Sequence, residues 1–266
     1  MRPAAHVFIL SRRRRAGICY VVGVRVALIA GLAVAALVAL WLHGSIPQAP
    51  GYHNFADQRS IWGIHNFWNV VSNLPFLLVA LWGVRALRSE AAFLQHWERT
   101  AYCVLLSGVA LVAFGSGYYH LRPDDGMLVW DRLPMTVVFM SLLAITIGER
   151  IDLNAGRLLL IPLLALGVAS VVYWRSSNDL RLYGFVQYYP LLALPLMILL
   201  FPPRYSGGAG LLGMAGFYAL AKVFELLDHR MAALAATGGH PWKHTAAAVA
   251  MLCYVNMVAR RRPARL

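Results

Sequence analysis

Ser116 and His120 stand four residues apart in Gly115-Ser116-Gly117-Tyr118-Tyr119-His120, and Asp131 follows the histidine by eleven residues. Far downstream, His240 and His244 repeat the four-residue spacing in Gly239-His240-Pro241-Trp242-Lys243-His244. On a helix, residues four apart share a face. Two histidines so placed, joined by a third from another segment, offer three imidazoles and an open fourth position. That is the form of a catalytic rather than a structural zinc site. Zinc held in this way lowers the pKa of its water to about 7. A carboxylate beside it, Asp131, would take and pass on a proton. The Ser116 hydroxyl would donate to the oxyanion of a tetrahedral intermediate.

Each of these residues also has a plainer use. A histidine in a membrane helix can hydrogen-bond across helices, and a serine between two glycines can serve close helix packing. A His-x-x-x-His pair arises easily by chance. Asp131 could pair with Arg132 at the membrane interface. Lys222 and Glu225, three apart, suit an ion pair inside a bundle. Asn69, Ser72 and Asn73 suit polar contacts between helices. Tyr118, Tyr119, Trp130 and Trp242 fit an interfacial aromatic belt.

The elements that must position these groups are membrane helices. The chain has 266 residues, 60% of them hydrophobic and only 13% charged, against about a quarter charged in soluble domains. Eight apolar runs are long enough to cross a bilayer, at about 18–42, 67–87, 100–120, 127–148, 156–174, 185–201, 209–228 and 242–259. The first exceeds the apolar core of a signal peptide and reads as an uncleaved anchor. Prolines 75, 134, 162, 190 and 195 fall inside spans, which membrane helices tolerate. The formal charge of +13 is concentrated in tails and short loops, so it reads as topology and contact with anionic lipid rather than nucleic-acid binding. Cys19, Cys103 and Cys253 stand alone, with no CxxC to suggest a zinc knuckle.

The basic residues orient the bundle. With the Arg12–Arg15 cluster inside, the inner segments carry roughly twice the Lys and Arg of the outer ones. Both termini are then cytoplasmic. His120 falls at the outer end of the third span, Asp131 one turn inside the outer end of the fourth, and His240 and His244 at the outer end of the eighth. Ser72, Asn73, Glu225, Asp228 and His229 belong to the same outer layer. The joint placement favours the metal reading over the plainer use of any single residue.

Four stretches together resemble the alkaline ceramidase family. Asn66-Phe67-Trp68-Asn69-Val70-Val71-Ser72-Asn73 is similar to its E-F-W-N-T-x-S-N signature. Gly115 to His120 resembles G-x-x-S-x-x-F/Y-H, and Asp131-Arg132-Leu133-Pro134-Met135 resembles D-E-L-P-M. His240 to His244 resembles the late H-x-x-x-H element. The wider superfamily includes the progestin and adipoQ receptors, seven-helix membrane proteins. The resemblance implies an all-α polytopic bundle: a seven-helix core over 46–259, preceded over 1–45 by a basic cytoplasmic tail with an added anchor helix, and followed by a basic tail at 260–266. It implies His120, His240 and His244 as zinc ligands, Asp131 as the proton-transfer residue and Ser116 as the oxyanion donor. It also implies an enzyme: a zinc-dependent hydrolase cleaving the amide of ceramide or a related N-acyl lipid into fatty acid and amine.

Three departures qualify this. The family's glutamate before Phe-Trp-Asn is Asn66, its upstream acidic run is reduced to Asp57, and Arg132 replaces the glutamate after the aspartate. The first two put a calcium site in doubt. The partners expected are the bilayer and a membrane lipid substrate, with no nucleic acid, and the oligomeric state is left open. The Arg- and Ala-rich composition points to a bacterial inner membrane, with the active site toward the periplasmic half. Two other classes compete: a non-catalytic receptor or transport protein on the same scaffold, and a bis-histidine haem protein. Asp131 and Ser116 favour hydrolysis, because haem ligation needs neither.

Overall fold

The computed structural model describes residues 4–264 apart from residue 235, with side chains from Tyr20 onward. The arginines at 12–15, Cys19 and Arg265 lie outside the residues whose side chains are described. The order is α1 (Ala4–His43), α2 (Phe67–Val71), α3 (Leu74–Gly83), α4 (His96–Leu121), α5 (Asp125–Arg150), α6 (Leu153–Ser177), α7 (Arg181–Leu200), α8 (Ala209–Leu226), α9 (Asp228–Met231) and α10 (His240–Arg260). The described residues form no named β-strand, as the sequence requires of a chain whose backbone must satisfy itself in lipid.

Among the described residues, seven helical stretches are long and apolar enough to cross a membrane, the N-terminal one included. They correspond to the first seven spans expected from the sequence. The eighth, α10, has 21 residues and is not among the seven. Its first turns carry His240, Lys243 and His244, so the polar groups that make it interesting also dilute its apolar character.

The second span is broken in two. α2 stops at Val71 and α3 starts at Leu74, with Pro75 in its first turn. Proline lacks the N–H for the carbonyl four residues back and its ring crowds that turn. The local chain tightens, and the Asn73 N–H turns to the Val70 carbonyl at 3.3 Å. The Asn69 carbonyl is taken up by side chains instead, Asn73 Nδ2 at 2.8 Å and Ser72 Oγ at 3.2 Å. Asn69 and Asn73 therefore serve this break, and Asn69 Nδ2 also donates to the Asp57 carbonyl at 3.2 Å.

Side-chain caps set other boundaries. Gln95 and Glu98 form a capping box on α4. Asp124 accepts from the Met127 N–H at 2.8 Å and Asp152 from the Ala155 N–H at 2.9 Å, starting α5 and α6. α4, α5 and α6 pack in sequence, α3 packs on α4, and α10 closes the bundle against α8 and α3. α7 leans on α5 and α6, but α7 and α8 do not pack closely on each other. α1 stands outside, against α7, with Tyr189 Oη donating to the Ile29 carbonyl at 3.0 Å. Nearly all of its span faces outward, as expected of an added anchor.

The connector 44–66 folds over the end of the bundle that holds His120 and His240. The Ile46 N–H donates to Asp179 Oδ1 at 3.2 Å, the Gln48 N–H to Asn178 Oδ1 at 3.1 Å and the Ala56 N–H to Asp228 Oδ2 at 3.0 Å. Burial opposes the charge on Asp179, but donors from Arg181, Ile46 and Tyr173 outweigh it and hold the carboxyl below the usual carboxylate range. At the opposite end, Arg261 pairs with Glu149 and covers the Tyr205 ring, whose hydroxyl donates to Glu98 Oε1 at 2.8 Å.

Candidate metal centre

Each histidine is delivered by a helix end. His120 lies in the last turn of α4 and its carbonyl accepts from Asn66 Nδ2 at 3.0 Å. His240 opens α10, with Pro241 at a position where a missing N–H costs nothing. The turn before it bends through Gly238, whose φ of +70° favours glycine, and a Cβ there would strike the Asp228 carboxylate. That carboxylate caps α10 from outside: Oδ1 accepts from the N–H groups of Gly239 and His240, both at 2.8 Å. Gly115 lets α4 approach the Trp130 backbone of α5, which brings Ser116 and Asp131 to one wall.

The three imidazoles converge. One ligand atom from each of His120, His240 and His244 lies within 4.8 Å of the others, and all three residues are buried. His120 Nε2 and His240 Nε2 are 3.3 Å apart. Two nitrogens at 2.0–2.1 Å from a tetrahedral zinc stand about 3.3–3.4 Å apart, so this pair fits the group. His120 Nδ1 is buried without a hydrogen-bond partner, and among the described residues the ring's other nitrogen meets only His240. A cation satisfies such a set of lone pairs where protons do not. Ser72 Oγ donates to the Asn69 carbonyl, so it accepts from His244 Nδ1 at 2.8 Å and leaves Nε2 free for a metal. Phe55 closes the side toward the connector, its ring 4.8 Å from that of His120 and 4.3 Å from that of His240.

The open side faces a cavity of about 320 Å³. His244, Ser116, Asp131 and Lys243 form its polar end, and Phe76, Val112, Met135 and Leu194 are among its apolar walls. It extends between α7 and α8, which do not pack closely on each other. Asp131 shares this cavity wall with Ser116 and Lys243.

All five residues singled out in the sequence thus meet around one site. Asp131 and Arg132 do not pair with each other. Arg132 turns away to Gln48 Oε1 at 2.7 Å and lies 3.9 Å over the Trp174 ring. Lys222 and Glu225 do form the expected ion pair at 2.6 Å. Tyr118, Trp130 and Trp242 are exposed, as a belt requires. Tyr119 departs from that expectation. It is buried, and its hydroxyl meets His53 Nδ1 at 2.9 Å beneath the connector.

Sequence reasoning missed the work of Ser72, Asp228 and Phe55. The sequence places Ser72 among the polar contacts between helices and Asp228 in the outer layer. Nothing in their spacing announces a bond across 172 residues or a cap across eleven. Asp57, the surviving upstream acid, is engaged by Arg59 Nε at 2.7 Å and the Trp68 N–H at 3.1 Å.

A family model described as Ceramidase matches residues 60–201. No curated protein matches the chain. The matched segment contains Ser116, His120 and Asp131, and the fold brings His240 and His244 to them from outside it. With the model covering just over half its length, the chain belongs to the ceramidase family.

Proposed function

We propose that this membrane hydrolase is a zinc-dependent amidase that cleaves the N-acyl bond of ceramide or a related N-acyl lipid. The observation that carries the reading is the meeting of three buried histidine nitrogens with Ser116 and Asp131 at the polar end of a largely apolar cavity. His120, His240 and His244 would hold the ion, and bound zinc supplies a Lewis acid for the amide carbonyl and a water acidified to a pKa of about 7. Asp131 accepts the proton of the attacking water and delivers it to the departing amine nitrogen. Ser116 donates to the oxygen that becomes negative when the carbonyl carbon turns tetrahedral. The gap between α7 and α8 admits the acyl chain from the bilayer, and Phe55 with the connector excludes bulk water from above.

Imidazole centroids 4.7–5.0 Å apart leave no slot for a porphyrin between them, which disfavours the haem reading. Calcium is not part of the proposal, because the Asp57 carboxylate is taken by Arg59 and Trp68. The test is fatty-acid release from a panel of N-acyl lipids by detergent-purified protein, with and without a calcium-specific chelator. Release that survives the chelator and stops on zinc removal is expected. No release from any amide by zinc-loaded protein overturns the amidase reading.

The orientation is part of the same proposal: a bacterial inner membrane, both termini cytoplasmic, the site in the outer half. Its support is the Lys and Arg bias between loops. Pro123→Cys, in the loop between α4 and α5, should react with a membrane-impermeant thiol reagent in intact cells. Reaction only after lysis places the site on the inner side.

A further inference from the structure

Two lysines share one carboxylate beside the metal centre. Lys222 on α8 and Lys243 on α10 donate to Glu225 at 2.6 Å, one to each carboxylate oxygen. An ammonium has three N–H donors. Glu225 occupies one on each lysine, and neither has another hydrogen-bond partner among the described residues. Both lysines line the same cavity as Ser116, Asp131 and His244, with side chains 24% and 17% exposed.

Two ammonium groups against one carboxylate leave an excess positive charge. Asp131, the other charged residue lining the cavity, offsets that excess only until it takes up the proton of the attacking water. Charge and unspent donors on an otherwise apolar wall are costly unless a counter-charge arrives. The apolar stretch along α4, α5 and α7 suits an acyl chain, and the lysines sit at the other, polar end, beside His244. A ceramide carries only hydroxyls there. The cluster is built for more than that.

We infer that Lys222 and Lys243 hold an anionic group of the carboxylate class on the amine half of the substrate, as in an N-acyl amino acid. This rests on the amidase reading above. The lysines are specificity-determining residues: their charge-assisted bonds select the amine half, while the histidines, Ser116 and Asp131 act on the amide whatever it carries.

N-oleoylglycine and N-oleoylethanolamine test this, because they share the amide and acyl chain and differ in the charge of a two-carbon amine. Binding and kcat/KM are measured in non-ionic detergent, with oleate as a third ligand. The wild-type protein should prefer N-oleoylglycine by at least about tenfold in both measures. Lys222→Met lies on a different helix from the three histidines. It should reduce affinity and kcat/KM for N-oleoylglycine by about 10- to 100-fold, the range for a hydrogen bond to a charged group. N-oleoylethanolamine should be unaffected, and Lys222→Arg should restore most of the preference. Equal treatment of the two amides by the wild-type protein overturns the inference, as does an equal loss on both in Lys222→Met. Weakened oleate binding with an unchanged amide preference also overturns it, since the lysines would then recognise the released fatty acid. Cleavage of neither amide counts against the amidase reading alone, and the binding ratio still decides the anion site.

Discussion

His120→Ala should strip the protein of its metal and take turnover to background. Among the described residues, the three imidazoles are the metal-ligating groups whose ligand atoms gather at the centre, and no other His, Cys or carboxylate joins that group. Alanine leaves two nitrogens, too few for the three protein ligands of a catalytic zinc. Removing a neighbour that only orients a ligand costs about 10- to 100-fold in metal affinity, so losing a ligand costs more. Ser72→Ala supplies the milder comparison. It leaves all three rings in place and removes the acceptor of His244 Nδ1. Affinity should fall by about 10- to 100-fold there, with activity restored by added zinc. Elemental analysis of purified protein should give about one zinc per chain in the wild type and none in His120→Ala. Helix content measured alongside separates metal loss from unfolding. A His120→Ala protein that retains zinc at wild-type affinity removes His120 from the site.

The sequence announced this centre better than it announced what supports it. His120, His240 and His244 were legible because helix periodicity and the orientation of spans are one-dimensional properties. Four-residue spacing puts two side chains on one face, and counting charges puts three helix ends in one layer. The eight apolar runs were legible for the same reason. The Ser72–Asn73 break was not, although Pro75 was visible, because a proline in a membrane helix can be absorbed by a kink as well as by a break. In the sequence the connector is marked by Pro47, Pro50, Gly51 and Asp57, which announce a polar break between spans and no cover. Its function as a cover depends on Phe55 reaching two histidines far apart in the chain and on Ala56 reaching Asp228. Arg132 shows the limit of neighbour reasoning. Beside an aspartate it reads as half of an ion pair, yet successive helix residues point about 100° apart, and Arg132 lies against Trp174 while Asp131 lines the cavity.

Asp131→Asn should leave the zinc bound and lower turnover by about 10²–10⁴, the usual scale of general acid–base catalysis. Asparagine keeps the shape of the side chain in the cavity wall and removes its basicity. The three histidines do not depend on it: outside the triad their hydrogen-bonding and ring partners are Ser72, the Asn66 side chain, Asp228, Phe55 and Tyr119. Ser116→Ala should also keep zinc and lose about 10²–10³ in rate, the cost of one oxyanion donor. The two losses should not add. A serine hydroxyl has one proton, and Ser116 lines the same cavity wall as the Asp131 carboxylate. A proton that Ser116 gives to the carboxylate is not available to the oxyanion, so either substitution disturbs both groups. Residues that share a hydrogen bond show coupling of about 0.5–3 kcal/mol in a double-mutant cycle. The double variant should accordingly be little slower than Asp131→Asn alone. Strict additivity would mean that the two side chains act independently. Zinc loss in Asp131→Asn would make Asp131 a support of the metal rather than a carrier of protons. Wild-type turnover in both single variants would remove the hydrolytic mechanism from this cavity and leave the three histidines as a metal site without this chemistry.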